Sequence, residues 1–292
     1  TRFEIEIDWI IFLTTQGGKN FKSLSAAAKK NLLKIKMGFD DKSAKKIKAI
    51  ESRTNHDVKA VEYFIRDEMS KYSNLKKYQH LVHFALTSED INSLSYAVLL
   101  RNAIDIYLKK LNALIIDLST KSKSWASIPV LARTHGQAAS PSSLGKEIKV
   151  FHHRLSRQKN ILKKMKPLAK FGGATGNFHT LDLADSGIDW LSKTKKFLSL
   201  FRVDQNPMTT QIEPHDGIAE ISHCIQRINN ILIDLNQDMW IYISNDIFKL
   251  KLKDGEIGSS TMPHKVNPID FENSEGNLGL SSSLMSFFAE KL

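Results

Sequence analysis

The sequence predicts an all-α protein, and three observations support this prediction. Its seven prolines leave residues 1–128 and 215–262 free of a residue that helix interiors do not tolerate. Apolar residues recur every three or four positions over three long stretches, which is the spacing of one helix face. Alternating strand patterns joined by Asn-Gly or Asp-Gly hairpin turns are not evident in the sequence.

The amino-terminal part of the sequence is predicted to form a small helical domain. Shorter helical patterns occupy residues 25–37, 41–53 and 56–72. We expect these helices to form an N-terminal domain over residues 1–88.

The first long helix is predicted to begin at Ser88. Serine is a favoured helix cap, and Glu89 and Asp90 suit the positive end of the helix dipole in the first turn. The apolar stripe that follows extends this helix over about eight turns.

Two further long helices complete the predicted core. One starts at Ser140 and Pro141, a capping residue followed by proline at the first helical position, and runs to about Lys166. The other follows Pro214 and carries one apolar stripe over residues 218–243. We expect residues 89–292 to form a long-helix bundle that is extended by other subunits, because such stripes exceed what one small domain buries.

Composition excludes some classes of protein. The chain has 292 residues, 41% of them hydrophobic, and its apolar runs are shorter than the roughly 18 residues of a membrane span. The single cysteine, Cys224, cannot form an intrachain disulfide, and we expect an inert thiol in a cytoplasmic protein that does not contact a membrane. The net charge of +11 suits a nucleic acid, an acidic membrane surface, a multiply anionic small substrate or simply a solvated lysine-rich surface.

Five polar segments interrupt the helical patterns. We expect each at a helix end, where free backbone N–H groups favour anions, so that together they could surround one acidic ligand. These segments are TNHD at 54–57, LTSED at 86–90, RTHGQ at 133–137, TTQIEPHD at 209–216 and the stretch at 255–277.

Most of these segments also have a purely structural interpretation. Residues 54–55, 87–88 and 211–216 could do no more than cap the helices that follow them. His135, beside a glycine in a tight loop, could be a free imidazole that titrates near neutral pH or a structural side chain. The glycine-rich run 172–176 lacks the Gly-Lys-Ser/Thr ending of a phosphate loop, so we interpret it as a turn between helices.

No cofactor and no metal are predicted. The sequence has no His-Glu-x-x-His motif and no paired Cys-x-x-Cys spacing.

The segment GSSTMPHKVNP at 258–268 resembles the signature loop of the fumarase/aspartase superfamily. Together with RTHGQ, LTSED, TNHDV and TTQIEPHD, it is similar to the adenylosuccinate lyase family in particular. This resemblance implies an α-helical homotetramer with shared active sites. It also implies elimination of fumarate from an anionic nucleotide, without cofactor or nucleic acid.

The resemblance also implies individual roles. Ser259 would be the general base and His135 the general acid, while Lys265 and Asn267 would stabilise the doubly charged aci-carboxylate intermediate. Gly255 and Gly258 would let the loop close. The expected substrate contacts are Asn55, His56, Asp57, Thr87, Ser88, Thr134, Gln211, Lys265, Val266, Asn267 and Asn273.

The sequence departs from this family at both ends. It lacks the Arg-Tyr pair near the amino terminus and the Ser-Arg segment beyond the signature helix that hold the nucleotide phosphate in relatives. We therefore expect a truncated chain without the third, C-terminal helical domain. The alternatives are another fumarate-releasing lyase, of the argininosuccinate lyase or aspartase type, and a catalytically silent helical scaffold.

Overall fold

A computed structural model describes residues 1–251, 262 and 265–291, and this part of the chain is mostly helical. In chain order the elements are α1 Arg2–Gln16, α2 Ala26–Met37, α3 Asp41–Thr54, α4 Asp57–Ser70, a 3-10 helix Lys76–Leu81, α5 Ser88–Ser124, β1 Pro129–Thr134, β2 Gln137–Ser143, α6 Leu144–Lys164, β3 Leu168–Ala169, α7 His179–Ala184, α8 Trp190–Ser199, β4 Asp204–Gln205, α9 Asp216–Ser244 and α10 Ile269–Lys291. None of the helices in this described part combines the length and apolar character needed to span a bilayer.

The chain folds into two compact units. The first unit comprises Thr1–Ala103 and Lys166–His215, and the second comprises Ile104–Met165 and Asp216–Leu292. The division falls within α5 and does not coincide with the domain boundary expected at residue 88. That boundary remains a prediction.

The core of the first unit is built around an aromatic cluster. Trp9 packs its ring 5.0 Å from Phe171 and 5.1 Å from Phe197, and Phe12 lies 5.2 Å from Phe197. The Trp9 indole also donates a hydrogen bond of 3.0 Å to the carbonyl of Phe84. Helix α1 is therefore buried on several sides, and nine of its 15 residues are buried.

The three short helices predicted near the amino terminus are confirmed as α2, α3 and α4. Each begins at a residue whose side chain accepts a backbone N–H of the first turn: Ser25, Asp40 and His56. These bonds satisfy donors that would otherwise lack a partner. Helix α5 begins at Ser88 as predicted, but its 37 residues make about ten turns rather than eight.

In the second unit, α9 and α10 lie antiparallel and are joined by polar side chains. Asn229 donates to Ser281, and Asn236, seven residues further along α9, donates to Ser274, seven residues earlier on α10. Both asparagines are buried, so these bonds set the register of the two helices. Helix α9 confirms the helix predicted after Pro214.

Cys224 lies on α9 and is fully buried, as expected for an inert thiol. Burial raises the pKa of this thiol above its ordinary value, which disfavours the reactive thiolate.

The helix predicted to start at Ser140 and Pro141 is wrong at its beginning. Residues 129–143 form an antiparallel hairpin of β1 and β2, in which Pro141 pairs with Leu131. Every strand of a two-stranded sheet is an edge strand, so proline is tolerated there without its N–H. Helix α6 begins only at Leu144, after Ser143 accepts a capping hydrogen bond of 3.3 Å from the Lys146 N–H.

Candidate active site

The Thr87–Ser88 segment opens helix α5, and its hydroxyl groups do not cap that helix. The cap is supplied by Asp90, whose carboxylate accepts the backbone N–H of Thr87 at 2.8 Å, an arrangement found in capping boxes. Among the residues the structure describes, neither the Thr87 nor the Ser88 hydroxyl makes a hydrogen bond. Both hydroxyl groups are therefore available to a ligand.

The glycine-rich run at 172–176 is attached to this segment through Asp90. The Asp90 carboxylate also accepts the backbone N–H of Gly172 at 3.0 Å and that of Gly173 at 3.3 Å, and it lies 2.8 Å from the Lys170 Nζ. Both charged side chains are completely buried. The run connects β3 to α7, so it is a strand-to-helix turn rather than the predicted turn between helices.

The segment around Gln211 approaches the opening of α5 through Glu213. This carboxylate is buried, accepts the backbone N–H of His215 at 2.7 Å and accepts the Asn206 amide at 2.9 Å. The Glu213 N–H lies 3.5 Å from a carboxylate oxygen of Glu89, whose pKa is raised because burial penalises its charge. Gln211 itself is exposed.

His83 fixes the backbone that leads into Thr87. It has a left-handed conformation with φ of 60°, and a single carboxylate, that of Glu6, receives its backbone N–H at 3.1 Å and lies 2.6 Å from its Nδ1. Burial lowers the pKa of His83, but Glu6 and the nearby Glu62 carboxylate outweigh burial and leave this pKa raised. The two acidic side chains therefore stabilise the charged form of this histidine.

The Asn55–His56–Asp57 segment occupies the junction of α3 and α4. Asn55 ends α3 with a left-handed φ of 51°, and the His56 Nδ1 caps α4 by accepting the Lys59 N–H at 3.2 Å. Asp57 forms an ion pair of 3.0 Å with Arg2. The capping interpretation for residues 54–55 is therefore wrong, because His56 caps α4 and Asn55 ends α3. The predicted substrate contact of Asn55, His56 and Asp57 stays a prediction.

In the second unit, His135 occupies the tip of the β1–β2 hairpin. Thr134 pairs with Gln137, so the loop consists only of His135 and Gly136, with φ of 53° and 74°. Two consecutive positive φ values match the two-residue turns that fit the twist of hairpin strands. The RTHGQ segment therefore lies at a hairpin turn and not at a helix end, and its histidine is exposed.

The other predicted residues of the second unit lie just before and within α10. Lys265 is exposed, and its N–H donates to the carbonyl of Met262 at 2.9 Å. Val266 and Asn267 are partly buried, and Asn273 is exposed on α10. Ser259, with the proposed hinges Gly255 and Gly258, lies outside the described residues.

The structure thus brings two of the predicted polar segments of the first unit together with the glycine-rich run. Residues 85–90, 172–176 and 209–215 are connected by backbone and carboxylate contacts. Sequence reasoning missed Asp90, Lys170 and the glycine-rich run as members of this group. The unusual density of glycine was visible, but nothing in the sequence indicated which segments those glycines would approach.

The chain also matches a known protein family over most of its length. A family model described as Lyase matches residues 13–280. The chain belongs to this lyase family. Its predicted membership of the fumarase/aspartase superfamily is confirmed.

The chain has similar relatives among bacterial enzymes. It is 44% identical over 293 aligned residues to the adenylosuccinate lyase of Escherichia coli strain K12, covering 100% of the chain and 64% of that protein. It is 49% identical over 255 residues to the adenylosuccinate lyase of Buchnera aphidicola subsp. Schizaphis graminum, covering 87% of the chain and 56% of the relative. The lyase chain therefore spans less than two thirds of the length of these relatives.

Solved structures show the same fold at low sequence identity. The 3-carboxy-cis,cis-muconate lactonizing enzyme from Pseudomonas putida gives a TM-score of 0.74 at 19% identity, over 98% of this lyase chain and 62% of that chain. A fumarate lyase from Mesorhizobium sp. BNC1 gives 0.74 at 15% identity, over 98% and 61%. The predicted all-α fold of this superfamily is confirmed.

Proposed function

We propose that the complete protein eliminates fumarate from adenylosuccinate and leaves AMP, and that it acts in the same way on the related succinyl-aminoimidazole-carboxamide ribotide. One observation carries this proposal: the whole chain is 44% identical to an adenylosuccinate lyase. The net charge of +11 also suits a substrate that carries a phosphate and two carboxylates.

The reaction breaks a C–N bond after a proton leaves the carbon next to a carboxylate. In the proposed mechanism Ser259 removes this proton, and the electron pair moves into the carboxylate to form an aci-carboxylate. Lys265 and Asn267 donate to that intermediate, whose extra negative charge exists only during the reaction. The electrons then return to form the double bond of fumarate as the C–N bond breaks.

His135 protonates the departing nitrogen in this mechanism. Without a proton, this nitrogen would have to leave as an unstable anion. The exposed position of His135 at a two-residue turn supports the assignment, because a substrate can reach the imidazole and the hairpin holds its backbone.

The first unit supplies substrate contacts in the same proposal. The hydroxyl groups of Thr87 and Ser88 bind a substrate carboxylate, and the Gln211 amide provides a further hydrogen bond. The geometry supports these contacts. The two hydroxyl groups make no hydrogen bond to the described residues, and the Thr87–Ser88 and Gln211 segments lie beside one another. Asn55, His56 and Asp57 complete the proposed set.

A substrate assay on the complete protein tests the reaction. We expect adenylosuccinate to be converted to equal amounts of AMP and fumarate, measured by absorbance and product chromatography. Argininosuccinate and aspartate should release no fumarate under the same conditions. Turnover of argininosuccinate but not of adenylosuccinate would contradict the proposal, as would a protein that turns over neither substrate and binds DNA in a salt-dependent manner.

We also propose that the complete protein is a homotetramer with shared active sites. Helix α10 has no buried residue, and its Leu280, Leu284 and Phe287 are 62%, 48% and 54% exposed along one stripe. An apolar stripe of this kind gains stability when another helix covers it. The cytoplasmic location expected from the sequence stays a prediction.

Light scattering on the complete protein checks the assembly. We expect the mass of four chains, because four copies can cover each other's apolar helix faces. A protein that remains monomeric at micromolar concentration would contradict this expectation.

A further inference from the structure

The Asp90 carboxylate is surrounded by donors from two separate parts of the chain. It accepts the N–H groups of Thr87, Gly172 and Gly173 and pairs with the Lys170 Nζ at 2.8 Å. A buried carboxylate needs such partners, since a charge without them is strongly destabilising. These contacts connect the opening of α5 to the run at 172–176.

Lys170 makes further hydrogen bonds within this arrangement. It is completely buried, and its ammonium donates a second bond of 2.6 Å to the carbonyl of Gly173. Its own carbonyl accepts the Ser93 hydroxyl at 3.2 Å. A buried ion pair adds little net stability compared with well-packed apolar side chains, so stability alone does not explain this pair.

The other side of the glycine-rich run lies against the backbone of the Gln211 segment. Gly176 has a φ of 78°, and a Cβ placed on it would lie 2.3 Å from the carbonyl oxygen of Thr209 and 2.8 Å from that of Thr210. A Cβ on Gly173 would lie 3.3 Å from the carbonyl oxygen of Ala85. The run therefore fits between the two segments only because Gly173 and Gly176 have no side chains.

We propose that Asp90 and Lys170 are positioning residues that, through the run at 172–176, set the spacing between Thr87–Ser88 and the Gln211 segment. This inference rests on the proposed function, in which those two segments hold the substrate. Asp90 does not touch the substrate. It acts by keeping the hydroxyl groups and the amide in one fixed arrangement, and small displacements of such groups lower the rate steeply.

The charge of Asp90 is tested in the complete protein with Asp90→Asn. We expect kcat/KM for adenylosuccinate to fall by at least about 10-fold, with KM raised and kcat lowered. The matched control is Asp8→Asn, which removes the charge of a partly buried carboxylate paired with Lys36 at 2.6 Å in the same unit. The control should change the melting temperature but leave kcat/KM within about twofold. Asp8 and Lys36 contact none of the segments 85–90, 172–176 and 209–215.

The close approach of the run is tested with Gly176→Ala. The added methyl group must displace the carbonyl of Thr209, so we expect kcat/KM to fall by at least about 10-fold without any change of charge. Its control is Gly279→Ala on α10, where a Cβ meets no atom within 4 Å. If Asp90→Asn does not fold, the comparison of Gly176→Ala with Gly279→Ala tests the positioning role.

Hydrogen exchange separates failure of this inference from failure of the proposed function. Both variants should show faster amide exchange at residues 85–90 and 209–213 than their controls, whether or not adenylosuccinate is a substrate. If the wild-type protein proves inactive and both variants still show faster exchange than their controls, the positioning role is supported and the proposed function is rejected. Unchanged exchange, or a folded variant with normal kcat/KM, would overturn the positioning role.

Discussion

Replacing His135 with asparagine in the complete protein is expected to lower kcat for adenylosuccinate by about 10²–10⁴-fold, the usual contribution of a general acid. The fold should survive, because His135 is exposed and supports no core contact. Asparagine is chosen because position 135 has a φ of 53°, and asparagine tolerates this left-handed conformation better than alanine. Steady-state kinetics with circular dichroism would measure both effects.

His80→Asn is a suitable control for this substitution. His80 is also exposed, but it lies on the 3-10 helix of the first unit and outside the proposed site. We expect normal kcat in the control. Normal kcat in His135→Asn as well would remove His135 from the mechanism.

Replacing Ser259 with alanine is expected to lower kcat by a similar factor of about 10²–10⁴, because alanine cannot accept the substrate proton. Serine is a weak base at its ordinary pKa, so the proposal requires activation by backbone N–H groups and a cation such as Lys265. The residue lies outside the described part of the chain, and this prediction therefore rests on the sequence motif. Substrate binding, measured by calorimetry, should persist in the variant.

The neighbouring Ser260 gives the sharpest control, since it has the same chemistry one position away. Ser260→Ala should retain most of the activity if Ser259 is the base. The reverse result, an inactive Ser260 variant beside an active Ser259 variant, would move the role to Ser260. Full activity in both variants would reject a serine base.

The helical part of the fold was predictable because its signals are local. The stripes behind α5 and α9 repeat over many turns, and the caps of α2 and α3 are side chains next to the helices they begin. The β1–β2 hairpin was missed for a local reason too. His135–Gly136 adopts the backbone of an Asn-Gly turn, because histidine is also enriched at positive φ.

The candidate site was predictable only as a set of segments. The motif around Ser259 and the RTHGQ and LTSED segments identified the family from their residue types. The role of Asp90 could not be predicted in the same way. In the sequence it looks like an ordinary acidic residue in the first turn of a helix, and its partners Gly172 and Gly173 are about 80 residues away.

The sequence by itself determined the all-α class, the long helices and the membership of the lyase family. Helical periodicity and motifs depend only on residues that lie close together in the chain. Only the tertiary structure decided that residues 85–90, 172–176 and 209–215 meet, and that a buried Asp90–Lys170 pair holds them. The physical reason is that contacts between distant residues depend on how all helices pack at once. The role of a buried charged residue can be assigned only when the hydrogen-bond donors around it are known.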